Sequence, residues 1–518
     1  MQKQKKHALF SLIKSLTPSE KRYFKIFASK HIIGEMNLYV RLFDLIDQQK
    51  AYDEKSILLH EKRIKKSFIR NLKKYLYGLI LKSLTSHHHE SSIEVRIHKM
   101  VHETEILYTK GLYDQCKTKL LKAKRLAYDH EKLYLIPEIL NLQSKILNWE
   151  TPLLKMEEQH DLLAEEYNVV LEKTALVKRY ETTKEKIYLL SGKYVTVRSK
   201  SDLNKITSII KACRTENESS LPFYAASSYY ASLGLFYTIT NNPVKGSVYF
   251  KKQIALLDSK PKIRAEEPLR YISANQNLLV ALSQYRNFKE QTEVLDKLKN
   301  LHKLFPEIKK SKTLQAAVFI PYCTTWLSIY NLTGEFEKGK KMIPVVEKEM
   351  LLYEALIGKG QMMTICYNFA HIYFALADYK RAITWLNKIL VVTNSSIRYD
   401  ALVIGRIFNL IIQYELGNRE LLKRMIVTDY KFVLKKEGGY KSEIFLLTYL
   451  ERLANSNTRK ETSLVLNEMR IKIELLKRDP FEKYFLNIFD FQSWIESKIR
   501  NLTYSEAVKQ KYYNIEAV

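Results

Sequence analysis

Glycine and proline are scarce in this chain, which has 14 glycines and 11 prolines in 518 residues. Their scarcity, together with long stretches of apolar residues at helical spacing, predicts helices throughout. A chain of this length is well beyond the size of one compact core, so we expect several cores or one extended stack. With 46% hydrophobic residues, the chain has enough apolar surface to form either.

Cysteines and long apolar runs are also few. The four cysteines, far apart and without a Cys-x-x-Cys pair, exclude a zinc framework and a disulfide scaffold and favour a reducing cytoplasm. The apolar run Ala8–Ile13 is too short for a signal peptide, and no window reaches the ~18 apolar residues of a membrane span. The sequence therefore predicts a cytoplasmic protein without a membrane span.

Catalytic motifs are missing as well. The sequence has no glycine-rich phosphate loop, Gly-x-Ser-x-Gly elbow, His-Glu-x-x-His or paired aspartate motif. Its most metal-like cluster is the run from His87 to Glu90, followed by His98 and His102 at a spacing that shares one helix face. No cysteine or aspartate completes this set, which favours a histidine-rich linker. We therefore expect no enzyme activity, no cofactor and no metal site.

Acidic residues are outnumbered: 85 Lys and Arg stand against 56 Asp and Glu, a formal net charge of +29. Such a charge attracts nucleic acids, anionic membrane surfaces or acidic proteins. A biased genome composition would also give a lysine-rich chain, and this alternative stays open. The charge is nevertheless concentrated, because residues 1–86 carry 19 Lys and Arg against 7 Asp and Glu.

The first 90 residues have the pattern of a small basic helical module. Thr17-Pro18-Ser19-Glu20 is typical of a helix start, since threonine can cap the helix, proline suits its first position and glutamate can bond back to the cap. Amphipathic helices are predicted over Lys21–Ser29, Leu38–Gln48, Glu54–His60 and Lys62–Leu84.

The last of these helices combines an apolar side with a cationic side. Between Lys62 and Lys74 there are seven basic residues and no acidic residue. A cationic helix face can lie along the phosphates of DNA or RNA and release counterions as it binds. It can also be the solvated face of a core helix. The candidate nucleic-acid-binding residues are Lys62, Arg63, Lys66, Arg70, Lys73 and Lys74.

A recurring pattern fills the middle of the chain: a small or apolar residue, a tyrosine, and a Gly/Asn/Asp–aromatic turn that opens a second helix. It is clearest in residues 366–386 and returns in 326–336, 230–237 and 110–117. Six second-helix positions align, of which the last five lie 45, 48, 43 and 40 residues apart. The 130 residues from Cys116 to Gly246 fit three further units of similar length. Such a period predicts stacked helical hairpins, whose usual product is a binding surface. The aligned positions are Cys116, Gly246, Gln291, Gly339, Ala382 and Leu422.

In this register, Tyr230, Leu233-Gly234 and Tyr237 match the first-helix pattern of tetratricopeptide repeats, with Tyr in the place of Trp. Over about residues 95–455 the chain resembles the tetratricopeptide superfamily in its long-period variety, although no proline closes each unit. The resemblance implies a right-handed superhelical solenoid whose concave surface, built mainly from first helices, binds a protein or peptide. The hydrogen-bonding residues it implies on that surface are Gln276, Gln284, Asn331, Tyr367 and His371.

Two helices are predicted after the polar break Asn455–Thr458, at about 460–477 and 480–500. The second has a wide apolar face, which we expect to cover the last exposed core of the array. Self-association through the same face is the alternative. The face consists of Tyr484, Phe485, Ile488, Phe489, Phe491, Trp494 and Ile495.

The sequence thus predicts an all-α protein in three parts: a basic helical N-terminal module (1–90), a tetratricopeptide-like array (91–456) and C-terminal capping helices (457–518). We expect a non-catalytic scaffold or adaptor that binds a protein or peptide partner on its concave surface. The alternative is a nucleic-acid-associated regulator or ribosome-linked factor that contacts DNA or RNA through the N-terminal module.

Overall fold

The computed structural model describes residues 7–29, 38–88, 92–150, 153–193, 196–213, 215, 217–391, 399–434 and 440–516. These residues form 27 α-helices and three short 3₁₀ helices, and no strand occurs among them. The predicted all-α fold is confirmed. By its contacts the chain divides into two compact units, residues 1–170 and 171–518. The predicted part boundaries near residues 90 and 456 stay predictions.

Two separate hydrophobic cores occur among the described residues of the first unit, one formed within residues 9–84 and one within residues 93–170. The predicted start of α2 is confirmed: the Thr17 amide donates to the Glu20 carboxylate at 2.7 Å, and the Glu20 amide donates to the Thr17 hydroxyl at 3.3 Å. The helices are α1 (Ala8–Ser15), α2 (Pro18–Ser29), α3 (Leu38–Gln48), α4 (Glu54–His60), α5 (Ile69–His87), α6 (Ile93–Thr109), α7 (Tyr113–Asp129) and α8 (Ile136–Glu150), with a 3₁₀ helix at Leu133–Leu135.

One long helix, α9 (Leu153–Lys193), crosses the boundary between the units and has 41 residues. The turn spacing predicts further hairpins in this interval, and for these 41 residues that prediction is wrong. The segment contains no proline, and its one glycine is Gly192, near its end. Nothing in its sequence therefore stops the helix earlier.

The second unit is an array of helical hairpins in which each helix packs against its neighbours along the chain. Five hairpins turn on a residue with a φ between 58° and 79°: Asn241, Arg286, Gly334, Ala377 and Gly417. These turns follow one another at 45, 48, 43 and 40 residues, the intervals of the sequence register. Each left-handed residue reverses the chain so that the second helix packs back on the first.

Fifteen further α-helices of the described residues form this array. They are α10 (Lys200–Lys211), α11 (Phe223–Ile239), α12 (Pro243–Ser259), α13 (Pro261–Glu266), α14 (Pro268–Gln284), α15 (Phe288–Lys299), α16 (Leu301–Leu304), α17 (Lys312–Thr333), α18 (Phe336–Leu352), α19 (Lys359–Ala375), α20 (Tyr379–Leu390), α21 (Tyr399–Glu415), α22 (Arg419–Leu434), α23 (Lys441–Asn455) and α24 (Arg459–Leu476), with 3₁₀ helices at Glu218–Ser220 and Pro306–Lys309.

Small residues let the two helices of a hairpin approach closely. A Cβ added at Gly246 would lie 2.9 Å from the carbonyl oxygen of Gly234, and one added at Gly234 would collide with the Phe250 ring. Helices α11 and α12 therefore have no room for a side chain at either position. The equivalent positions Ala382 and Leu422 are fully buried.

The C-terminal segment, residues 479–516, folds back onto the array. It contains α25 (Lys483–Ile488), α26 (Phe491–Ile499) and α27 (Tyr504–Glu516). The helix predicted over 480–500 is therefore interrupted, because the Asp490 side chain accepts from the Ser493 amide at 3.2 Å and starts a new helix. The largest apolar residues of the predicted face are buried inside the unit. None of the described helices combines the length and the apolar composition needed to cross a membrane.

Candidate functional site

The first helices of four successive hairpins, α14, α17, α19 and α21, line a cavity of about 340 Å³ together with α25. We call the side of these four helices that lines the cavity and contacts the C-terminal segment the first-helix face. Four of the five residues predicted for partner binding line the cavity: Gln284, Asn331, Tyr367 and His371. The fifth, Gln276, lies on α14 outside the cavity lining. The sequence register thus brings together residues from three separate hairpins.

Most polar groups of the cavity are uncharged. Asn331 is only 4% exposed, and its amide nitrogen donates to the Asn368 side-chain oxygen at 3.0 Å. The Asn331 Oδ1 atom and the Gln284 Nε2 atom are buried and have no hydrogen-bond partner in the described part of the chain. An unpartnered acceptor and an unpartnered donor on two lining residues would both be satisfied by a ligand that carries the complementary groups, as a peptide unit does, once the two side chains turn toward it. The hydroxyl-bearing residues of the lining include Thr324, Thr325, Ser328 and Thr364.

The C-terminal segment already occupies the part of the first-helix face beside the cavity. The Tyr367 hydroxyl donates to the main-chain oxygen of Ile488 at 3.0 Å. His371 Nε2 shares a hydrogen bond of 2.8 Å with the Tyr504 hydroxyl, and its ring centroid lies 5.3 Å from that of Phe489. Two of the residues predicted to contact a partner are therefore engaged by the chain itself.

Burial sets the protonation of this contact. It lowers the pKa of His371 to about 4, against the opposing influence of the Asp490 carboxylate. It also raises the pKa of Tyr504 well above the ordinary value. For Asp490, burial alone would raise the pKa, but the Lys511 ammonium 2.7 Å away and Ser493 bring it below the ordinary value. At neutral pH the histidine–tyrosine pair is uncharged, and the Asp490 carboxylate that acts on both groups is itself paired with Lys511.

A second anchor holds the start of the C-terminal segment. Arg198 is 9% exposed and pairs with Glu443 at 2.5 Å and with Glu482 at 3.2 Å. Its guanidinium also lies 3.7 Å from the ring centroid of Tyr440 and 4.6 Å from that of Phe485. Sequence reasoning missed this arginine, since its carboxylate partners are 245 and 284 residues away and no local pattern marks it.

In the N-terminal module, the predicted helix over Lys62–Leu84 is wrong in its first part. Helix α5 begins at Ile69, and the preceding residues form turns in which the Ile64 amide donates to the Glu61 carbonyl. Ile64 is 2% exposed, so packing of this side chain in the core outweighs the helical periodicity of the segment. Only three of the six candidate nucleic-acid-binding residues, Arg70, Lys73 and Lys74, lie on the helix.

The six candidate cations also differ in their neighbours. Arg63 pairs with Glu61 at 2.8 Å, and Lys73 pairs with Glu54. The Glu54 carboxylate has a lowered pKa, first because of the hydrogen bond from Lys73, while burial opposes that shift. The other four are exposed and have no acidic partner among the residues described: Lys62, Lys66, Arg70 and Lys74.

The histidine cluster is only partly visible, because His89 and Glu90 lie outside the described residues. His88 Nε2 is 2.7 Å from the Glu20 carboxylate, and His102 Nδ1 is 3.2 Å from that of Glu105. Within the described ranges, no group of three or more His, Cys, Asp or Glu side chains is placed to hold a metal ion.

Comparison of the chain with protein-family models, with curated proteins and with solved structures gave no match. What the first-helix face and the N-terminal module do is therefore inferred from their own geometry.

Proposed function

We propose that this protein is a tetratricopeptide-like adaptor whose first-helix face binds a polypeptide segment of a partner protein. The observation that carries the proposal is the hydrogen bond from Tyr367 to the main-chain oxygen of Ile488. This contact recognises backbone, which every polypeptide has. A face that holds one stretch of polypeptide in this way has the groups to hold another.

The cavity offers the site for that second stretch. A peptide unit entering it can donate its N–H to Asn331 Oδ1 and accept from Gln284 Nε2 once these two side chains turn toward it, since both atoms lack partners in the described chain. Both partners are amides, and Arg286 and Asp400 are the two charged side chains of the lining with opposite signs, so we expect binding that changes little with salt. The right-handed superhelix implied by the repeat resemblance would present this face along its inner side.

We place the protein in the cytoplasm and assign it no catalytic step. The four cysteines are all free and buried, which supports a reducing compartment. Burial raises the pKa of Cys323 to about 12 and that of Cys366 to about 11, so both thiols stay protonated at neutral pH. Such thiols act as small apolar core residues.

A displayed library of random peptides, selected on the purified full chain, tests the proposal. Affinities of the selected peptides are then measured by fluorescence anisotropy at two salt concentrations. Ser328→Arg places a long side chain in the cavity without removing a large packing contact, and it should weaken binding by at least ~10-fold, about 1.4 kcal/mol.

Ser463→Arg is the matched control, since Ser463 lies exposed on α24. It should bind the selected peptides as the unchanged protein does. Peptides that bind both variants equally well would show that the cavity is not the site. A steep fall in affinity with salt would contradict recognition by uncharged groups.

A further inference from the structure

The described acidic residues of the N-terminal module neutralise only two cations of its most basic stretch, Arg63 and Lys73. Each acidic residue that the structure describes between residues 7 and 88 forms an ion pair or caps a helix. The ion pairs are Asp44–Lys25, Asp47–Lys21, Glu54–Lys73 and Glu61 with Arg41 and Arg63, while Glu20 caps α2 and Asp53 caps α4.

The basic residues without a described acidic partner are densest in residues 62–82, which we call the cationic segment. Four more, Lys14, Arg22, Lys50 and Lys55, are spread over the residues before it. No Asp or Glu occurs in the sequence between Lys62 and His88. Six of its basic residues are exposed, with no acidic partner in the described ranges. They are Lys62, Lys65, Lys66, Arg70, Lys74 and Lys82.

Aromatic rings stand exposed among these cations. Phe68 is 47%, Tyr75 52% and Tyr77 38% exposed. The Tyr75 ring is supported by that of Tyr39, whose centroid lies 4.4 Å away, so it is held in place while much of it faces solvent. Arg70, Lys74 and Tyr77 follow at helical spacing and share one stripe of α5, and Tyr75 projects about 100° around the helix axis from Lys74.

We propose that the cationic segment binds a single-stranded nucleic acid, with phosphates at Lys66, Arg70 and Lys74 and an unpaired base stacked on Tyr75. Cations alone would suit a duplex equally well, but a duplex keeps its bases stacked internally and offers no base face to a tyrosine. An anionic membrane is a poorer fit. The apolar side of α5, with Leu72 and Leu76, is buried in the module core, so the described residues near these cations offer a bilayer only single exposed apolar side chains such as Phe68 and Leu81.

Fluorescence anisotropy with labelled 12-nucleotide strands, U12 and dT12, tests the proposal on the full chain over 50–200 mM salt. The triple variant K66E/R70E/K74E should lose binding. Tyr75→Ala should weaken it roughly 5- to 100-fold, because stacking of one base on an aromatic ring is worth about 1–3 kcal/mol. Tyr75→Phe keeps the ring face and should bind as the unchanged protein does.

The triple variant K297E/K299E/K303E is the matched control, since it makes the same change of charge at exposed lysines of the second unit. It should keep most of the binding. Three results would overturn the proposal: no binding of either strand, equal losses in the two triple variants, or a 12-base-pair duplex that binds as tightly as the strands with Tyr75→Ala unchanged. Binding only to vesicles of anionic lipid would assign the surface to membranes instead. The peptide selection concerns other residues and can succeed or fail independently.

Discussion

The two candidate binding surfaces differ in what surrounds their polar groups. On the first-helix face of the second unit, Asn331 and His371 are buried, uncharged and partly satisfied by the chain itself. On the cationic segment of the first unit, Lys66 and Arg70 are exposed and unpaired in the described ranges. The low local dielectric strengthens the hydrogen bonds of a buried amide. An exposed cation instead contributes to binding by releasing counterions from a nucleic acid. Salt should therefore weaken binding at the cationic segment and leave binding at the first-helix face nearly unchanged.

The largest effect is expected where a charge is buried. Arg198→Met leaves the carboxylate of Glu443, which is fully buried, without its cation. We expect the free energy of unfolding of the second unit to fall by about 3–5 kcal/mol. Urea denaturation measures the loss, and hydrogen exchange should localise it near Glu443 and Glu482.

A substitution in the cationic segment is the control for Arg198→Met. Lys66→Met removes a cation without a described partner, so the free energy of unfolding should change by less than about 0.5 kcal/mol. The double variant R198M/E443Q should recover part of the stability, since no carboxylate is then left unpaired at position 443. If both single variants were equally mild, the Arg198 contacts would not hold the C-terminal segment.

Lowering the pH should reduce the free energy of unfolding by a smaller amount, because His371 is protonated on unfolding. Its pKa is about 4 in the folded chain, below the ordinary 6.5, so the unfolded chain takes up the proton first. The stability that the neutral histidine provides is complete above pH 6.5 and is lost as the pH falls toward 4. The loss should reach about 3 kcal/mol, and it should show as faster exchange of amides in the C-terminal segment.

His371→Gln isolates this contribution from the carboxylates that also titrate in acid. Glutamine can still hydrogen-bond to the Tyr504 hydroxyl but carries no proton in this range. The stability difference between the unchanged protein and the variant should therefore narrow or reverse from pH 7 to pH 4. A constant difference would mean that His371 is not protonated on unfolding.

The smallest expected effect distinguishes two neighbouring lysines of α5, one paired with an acid and one exposed. Lys73 pairs with Glu54, whereas its neighbour Lys74 is exposed and unpaired in the described ranges. Lys73→Met should cost about 0.5–1 kcal/mol of stability and leave nucleic-acid binding nearly unchanged. Lys74→Met should leave stability unchanged and reduce the salt slope of binding by about 0.7. Thermal unfolding and anisotropy on the same two variants check both statements, and a reversed pattern would contradict the assignment of phosphate contacts.

Local signals carried the predictions that succeeded. Gly334 at a left-handed turn and Gly246 at a close helix contact mark their positions by residue type alone, so the hairpin register is readable from sequence. The helix from Lys62 failed because amphipathic spacing continues through residues that instead form turns over the buried Ile64. Helical periodicity indicates that one face of a segment is buried, but it does not identify the element that packs against this face.

The C-terminal segment illustrates that limit. Its aromatic face is visible in the sequence, and burial of Phe489 and Trp494 follows from composition. Its docking surface is set by complementarity between distant elements, since Tyr367 and Ile488 are 121 residues apart. The same holds for the cavity: the repeat register brought four lining residues together, but α25 could not be placed beside them from spacing alone.

The fold-back of the C-terminal segment has a consequence for the order in which the protein is made. His371 precedes Tyr504 by 133 residues, so at about 5–20 residues per second the hairpins wait roughly 7–27 s for the segment that covers them. For the part of that interval between synthesis of Phe408 and of Phe489, both Phe374 and Phe408, which later pack against Phe489, are still uncovered. A newly made chain therefore presents its first-helix face most openly before its own synthesis is complete.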